Sequence, residues 1–217
     1  MADQIGTQTA LMTDRPVTAF LDVLASSAPA PGGGAVAALA GALGSALVSM
    51  VANLTLGKAG YEGVQGRVGE LLGQSEGLRR RLAALIADDY DAFMRLSGAM
   101  KMPRSSDAEK AARTAALQAA LKGASEVPLQ IAEACAAAMQ LCRPMAEIGN
   151  KNAVSDAGVA VLLAEAGLRS AALNVLINHG LIKDAEFVAA QRARLDGLLA
   201  GSGVRRDEVY DYVVSRL

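Results

Sequence analysis

Asp89 stands where a carboxylate is costly. It lies four residues after Leu85, three after Ile86 and four before Phe93, so on a helix it shares their apolar face. A charge held there needs a partner or a hydrogen bond. It is either one half of a buried structural pair or a carboxylate aimed into a site, where it can move a proton or face a cation. Asp88 and Asp91 point away from that face and read as solvated. Lys58 is the second such residue. It closes a stretch of 35 residues, Val23 to Gly57, that has no Asp, Glu, Lys, Arg or His. At the end of a helix it is a favourable cation, at about 0.3–1 kcal/mol. Beside apolar walls it can also donate a proton or clamp a negative charge.

Further features bear on chemistry or exclude it. Gly32, Gly33 and Gly34 open the uncharged run, and free N–H groups there can meet an anion; a tight turn beneath a neighbouring helix explains them equally well. Asn53 lies near the end of the run. Asp156 and Asn174 are 18 residues apart, five helical turns, so they face the same way, with Asn178 about 40° further round. That separation is roughly 27 Å, so Asp156 and Asn174 cannot touch one small reacting centre. The asparagines also suit helix capping and bonds between helices. Gly57-Lys58 is not a phosphate loop, because the upstream glycine is missing and Ala59 follows. His179 is the one histidine, reads as a surface or cap residue, and has no nucleophile to pair with. Cys135 and Cys142, on one helix, would lie about 10 Å apart, too far for a disulfide. They read as small core residues of a reducing compartment, and no zinc pattern is present.

Helices must position these groups. The composition is rich in Ala, and 3% aromatic, which favours helix over strand. Eight helices are predicted: Pro16 to Ser26, Gly32 to about Leu56, Val64 to Met100, Ser106 to Gly123, Ser125 to before Pro144, Asp156 to Asn178, Lys183 to Leu199, and Arg205 to Arg216. Ser106 and Glu109 have capping-box spacing. Gly66, Gly69, Gly73 and Gly77 suggest close packing in the third. The fold class is therefore all-α, a single-domain helical bundle of about eight helices over residues 14–217, with a buried central Ala/Gly-rich helix. Residues 1–13 read as loosely ordered and not as a secretory signal.

The run Ala35–Leu54 is long enough to span a bilayer. Its small residues make transfer to lipid weak, and no basic cluster flanks it. A core helix, apolar all round, is the better reading, and no second segment is expected to qualify as a span. The net charge of −1 and pI of about 5.9, with no basic arm and no Trp, give no sign of nucleic acid or of an anionic membrane.

The stretches PAPGGGAVAALAGALGSALVSMVANLTLGK (Pro29–Lys58), DDYDAF (Asp88–Phe93), Glu126-Val127-Pro128 and NKNAVSDAGVAVLLAEAGLRSAALNVLIN (Asn150–Asn178) resemble the cyclodeaminase/cyclohydrolase family of folate metabolism. The likeness spans about Pro16 to Asn178 in the same order. It departs at Ala35, where the family usually has Ser, and at Ala59, where a second basic residue often stands. It implies an all-helical cytoplasmic homodimer with no metal and no cofactor beyond its folate substrate. It implies a site built from Asp89 and Lys58 as catalytic groups, with Gly32, Gly33, Gly34, Asn53, Asp156, Asn174 and Asn178 binding substrate. The closeness to stand-alone members favours opening of 5,10-methenyltetrahydrofolate to 10-formyltetrahydrofolate. The rivals are formimidoyltetrahydrofolate cyclodeaminase, which releases ammonia, and a folate-binding bundle without catalysis. The glycine turn and Lys58 lie roughly 33 Å apart along one helix, so they serve opposite ends of a ligand or meet across a dimer.

Overall fold

A computed structural model describes residues 16–217; the expectation for residues 1–13 falls outside them. The described residues form seven α-helices, two short 3-10 turns and no strand. The α-helices are α1 (Val17–Leu24), α2 (Gly33–Asn53), α3 (Gln65–Met100), α4 (Asp107–Ile148), α5 (Val154–His179), α6 (Ala185–Leu199) and α7 (Ser202–Val214). Helices α2 to α5 make the body. α2 lies between α3 and α5, α4 closes the ring on the far side, and α6 and α7 pack outside.

The sequence predicts a break near Gly123, but α4 runs unbroken through Pro128 and Pro144, so eight helices become seven. A proline inside a helix leaves the carbonyl four residues earlier without its N–H. For Pro128 that carbonyl is Ala124, and Asn178 supplies the missing donor through Nδ2 at 3.0 Å. The tertiary bond offsets the local defect. At its start, α4 carries the predicted capping box between Ser106 and Glu109.

Small residues set the spacing of α2 and α5. A Cβ on Gly44 would fall 2.8 Å from the Ala160 carbonyl, and one on Gly167 would fall 2.9 Å from the Ala37 carbonyl. Backbone oxygens cannot yield as a flexible side chain can, so both positions require glycine for the helices to meet. Gly66, Gly69, Gly73 and Gly77 do not behave so. All are exposed and none has a neighbour within 4 Å, because they lie on the solvent side of α3.

The main core cluster surrounds α2, with Ala35, Ala38, Val48, Leu82, Leu129 and Leu168 within it, and a smaller one joins Ala146, Val154, Ala157 and Val213. Polar atoms inside it are paired: Ser49 and Ser75 share a 2.8 Å hydrogen bond between α2 and α3. Cys135 and Cys142 are buried, and burial pushes both thiols up to about 12, which makes them unreactive. Two segments are long and apolar enough to cross a membrane, Gly33–Asn53 and Lys151–His179. The second corrects the expectation that α2 alone qualifies. Both lie side by side in the bundle, with 61% and 50% of their apolar windows buried.

Candidate active site

The start of α2 has no side-chain cap and no acidic residue in its own first turn. A helix so begun leaves N–H groups open to an acceptor from elsewhere. Asp89, at mid-length on α3, is that acceptor: the Ala35 N–H donates to its carboxylate. Two effects act on this group in opposite senses. Burial against apolar side chains disfavours its charge, and the backbone N–H favours it. Burial dominates, and the carboxyl is pushed up to about 6. A group with that value shares its proton readily near neutrality, as a general base or acid requires.

Gly34 makes this approach possible. A Cβ on it would fall 2.1 Å from Asp89 Oδ1. Gly33 abuts Asn174 on α5, where a Cβ would fall 3.2 Å from Nδ2. Asn174 donates to the Ser170 carbonyl at 2.8 Å, and Asn178 donates to Asn174 O at 2.8 Å besides Ala124. With both amide nitrogens engaged, a ligand would meet chiefly the amide oxygens.

These groups line one cavity of about 290 Å³ between the α2 N-terminus, α3 and the end of α5. Asp89, Gly32, Gly33, Gly34, Asn174 and Asn178 all border it, and Phe93, Leu96, Ile177 and Leu181 supply apolar walls. Phe93 and Leu96 are four and seven residues beyond Asp89, so the helical repeat already placed them there. Ile177 and Leu181 carried no such signal. About 290 Å³ is at the small end for a drug-sized ligand, so a long ligand must continue past the rim.

Lys58, Asn53 and Asp156 lie elsewhere in the chain. Asn53 ends α2, and Lys58 follows five residues beyond the helix. Twenty-one residues of α2 put that end roughly 30 Å from the glycine turn. Lys58 is exposed, with Nζ 5.9 Å from the centre of the Tyr61 ring. Asp156 is half-buried in the first turn of α5, at the same end as Lys58. A second cavity of about 320 Å³, lined by Tyr61, Glu147, Lys151, Tyr212 and Arg216, opens there. One chain therefore does not bring Lys58 and Asp89 to a single reacting atom.

A network that sequence reading missed holds this second end. Thr55, fully buried, donates to the Val51 carbonyl at 2.6 Å and accepts from Asn150 N–H at 2.8 Å. Asn150 Nδ2 then donates to Leu54 O at 2.9 Å. The loop after α2 is thus tied to the start of α5. Among the described residues no cluster of His, Cys, Asp and Glu can hold a metal.

An all-helical bundle with a proton-sharing carboxylate under a glycine-opened helix defines the class of protein. Residues 16–197 match the family description formiminotransferase-cyclodeaminase, and the chain belongs to that family. It is 50% identical to a methenyltetrahydrofolate cyclohydrolase of Methylorubrum extorquens over 93% of this chain and 97% of that protein. It is 35% identical to the formimidoyltransferase-cyclodeaminase of Rattus norvegicus over 87% of this chain but 35% of that longer protein. Its fold matches the crystal structure of a formiminotetrahydrofolate cyclodeaminase from Thermotoga maritima with a TM-score of 0.79 and 33% identity, covering 94% of this chain and 96% of that one.

Proposed function

We propose that the protein is a methenyltetrahydrofolate cyclohydrolase, hydrolysing 5,10-methenyltetrahydrofolate to 10-formyltetrahydrofolate. The 50% identity to a cyclohydrolase along nearly its whole length carries this reading over the deaminase, whose relatives stand at 35% and 33%. Asp89 supplies the chemistry. The substrate's methenyl carbon joins N5 and N10 in a cationic amidine. Water adds to that carbon, and the Asp89 carboxylate takes a proton from it. The neutral adduct then loses its bond to N5, which receives a proton from the Asp89 carboxyl, while the hydroxyl proton passes to solvent and leaves the formyl group on N10. One water is consumed and one proton released. An anionic Asp89 also attracts the cation before reaction. Gly32, Gly33, Gly34, Asn174 and Asn178 hold the ring end of the substrate, and Lys58, Asn53 and Asp156 belong to a site completed elsewhere. The reaction calls for no metal or cofactor.

The proposal extends to a cytoplasmic homodimer acting without nucleic acid or membrane. The absence of a basic surface excess and the seating of both apolar helices in the bundle support it. Purified protein mixed with 5,10-methenyltetrahydrofolate should bleach its near-ultraviolet band catalytically and yield 10-formyltetrahydrofolate. Ammonia release from formimidoyltetrahydrofolate at a higher kcat/KM would instead assign the deaminase. Folate binding with neither reaction would reject both activities.

A further inference from the structure

Ile177, Asn178 and Leu181 form the α5 side of the Asp89 cavity, yet little core packing holds them. Ile177 and Leu181 are 72% and 57% exposed, and Leu181 lies two residues beyond the end of α5. Polar ties must fix a wall so placed, and they all lead to α4. Asn178 Nδ2 donates to the Ala124 carbonyl. Gln118 donates to the Leu181 carbonyl at 3.0 Å and accepts from the Lys183 N–H at 2.7 Å. A third tie runs through α6 and has no part in the chemistry given to Asp89.

That tie centres on Gln191, which lies on α6 four residues before the buried Leu195 and is 2% exposed. A buried amide must make its hydrogen bonds. Its Nε2 donates to Glu126 Oε2 on α4 at 2.7 Å, and its Oε1 lies 2.9 Å from Nε2 of His179, the last residue of α5. Arg194 faces the other Glu126 oxygen at 3.5 Å. Charge orients the whole chain. A carboxylate only accepts, so Gln191 turns its NH2 group to Glu126 and its oxygen to His179. His179 can then only donate, which places its proton on Nε2. Glu126 is two residues beyond Ala124, and His179 adjoins Asn178. The chain His179–Gln191–Glu126 therefore joins the same two helices as the Asn178–Ala124 bond and runs beside it.

We propose that Gln191 is a positioning residue of the Asp89 site: its bonds to His179 and Glu126 lock the end of α5 to α4 and so set Asn178, Ile177 and Leu181 against the substrate. That the substrate is a folate rests on the reading above; the bonds themselves do not. The wall meets the ground state and the transition state alike. Gln191 therefore acts on KM, whereas a group that moves the proton acts on kcat.

Four untagged proteins test this: wild type, Gln191→Leu, Gln191→Glu and the double variant Glu126→Gln/Gln191→Glu. The chain has one histidine, so its nitrogen-15 NMR signals are unambiguous. In alkaline buffer the wild type should show the Nε2–H tautomer with that proton shielded from exchange, and Gln191→Leu should lose the shielding. Gln191→Leu should raise KM for 5,10-methenyltetrahydrofolate roughly tenfold, about one hydrogen bond to a ligand. Its kcat, and the pH dependence of kcat, should stay within about twofold of wild type. Gln191→Glu sets two carboxylates against each other and should be impaired at least as much. In the double variant the new amide at position 126 donates to the new carboxylate at 191, whose second oxygen accepts from His179. Its KM should return to within about threefold of wild type, a rescue that a merely structural defect would not show. Where Gln191→Leu does not fold, the contrast between Gln191→Glu and the double variant decides alone. An unchanged KM in Gln191→Leu, a fall in kcat alone, a double variant as impaired as Gln191→Glu, or an Nδ1–H tautomer in the wild type overturns the proposal. Dissociation constants for unreactive 5-formyltetrahydrofolate should follow the same order as KM. A wild type that binds it yet leaves methenyltetrahydrofolate untouched removes the cyclohydrolase reading, and those constants then decide the role of Gln191. A wild type that binds no folate overturns both.

Discussion

The α-carbon of Gly34 on α2 lies so near the Asp89 carboxylate on α3 that a Cβ there would fall 2.1 Å from Oδ1 and 2.7 Å from Oδ2. The two helices are thus registered by a missing methyl group. Gly34→Ala keeps an ordinary helical backbone and gains helix propensity, yet it must expel the carboxylate from the Ala35 N–H. Misplacing a reacting group by an ångström costs on the order of a hundredfold in rate. Loss of kcat/KM by that order, with unchanged helical circular dichroism, is the expected result. Gly69→Ala on exposed α3, where nothing lies within 4 Å, serves as the control and should raise stability by about 0.5–1 kcal/mol.

Asp89 links activity and stability to pH in opposite senses. Burial holds its folded pKa at about 6, above the ordinary 3.8. The folded state therefore binds this proton more tightly than the unfolded chain does. Stability from the group is fully present below pH about 4 and is lost as pH rises through about 6. Asp89→Asn should accordingly melt higher than wild type at pH 8 and alike at pH 4. The full shift corresponds to about 3 kcal/mol, and partial exposure reduces this to roughly 1–2. Activity runs the other way, since the base form does the work: kcat/KM of the wild type should fall below pH about 6. A pH-independent difference in melting temperature would contradict this account of Asp89.

Much of the architecture was legible because it rests on local signals. The uncharged run, the glycine opening, the Ser106–Glu109 cap and the face shared by Leu85, Ile86 and Asp89 all follow from spacing. The continuity of α4 was not, because Pro128 looks like a first-turn residue until Asn178, 50 positions later in the chain, is seen to serve the Ala124 carbonyl. The glycines of α3 misled for a related reason: glycine records only that no side chain is present, and whether a neighbour or water fills the space is a tertiary fact. The division of candidate residues between the two ends of α2 was foreseeable from helix length. Which of them gather around Asp89 was not, since that depends on the antiparallel run of α5 beside α2.

Asn178 and Pro128 form a compensating pair, and their coupling is measurable. Asn178→Ala removes the donor to Ala124 O and leaves a carbonyl unserved, at about 1–2 kcal/mol. For a chain of 217 residues that lowers Tm by roughly 2–8 °C. Pro128→Ala restores a backbone N–H to the same carbonyl, so Asn178→Ala should cost less in that background. A double-mutant cycle giving about 0.5–1.5 kcal/mol of coupling is expected. Strict additivity would show that the two residues do not share the acceptor.

Thr55 offers a test at the opposite end. Its hydroxyl is fully buried, donates to Val51 O and accepts from the Asn150 N–H, while Asn150 itself returns to Leu54 O. Valine has nearly the same shape but cannot accept, so Thr55→Val leaves the Asn150 N–H buried and unpaired, at about 1–3 kcal/mol. Thr55→Ser keeps both hydrogen bonds and loses one methyl, at about 0.5–1.5 kcal/mol. If the loop mattered only as packing, serine would be at least as harmful as valine. If its hydrogen bonds fix the backbone that carries Lys58 and Lys151, valine should lower Tm more and also depress kcat/KM, and serine should restore most of the activity. Thermal denaturation and initial rates on the three proteins decide between the two, and they do so without altering any residue of the Asp89 cavity.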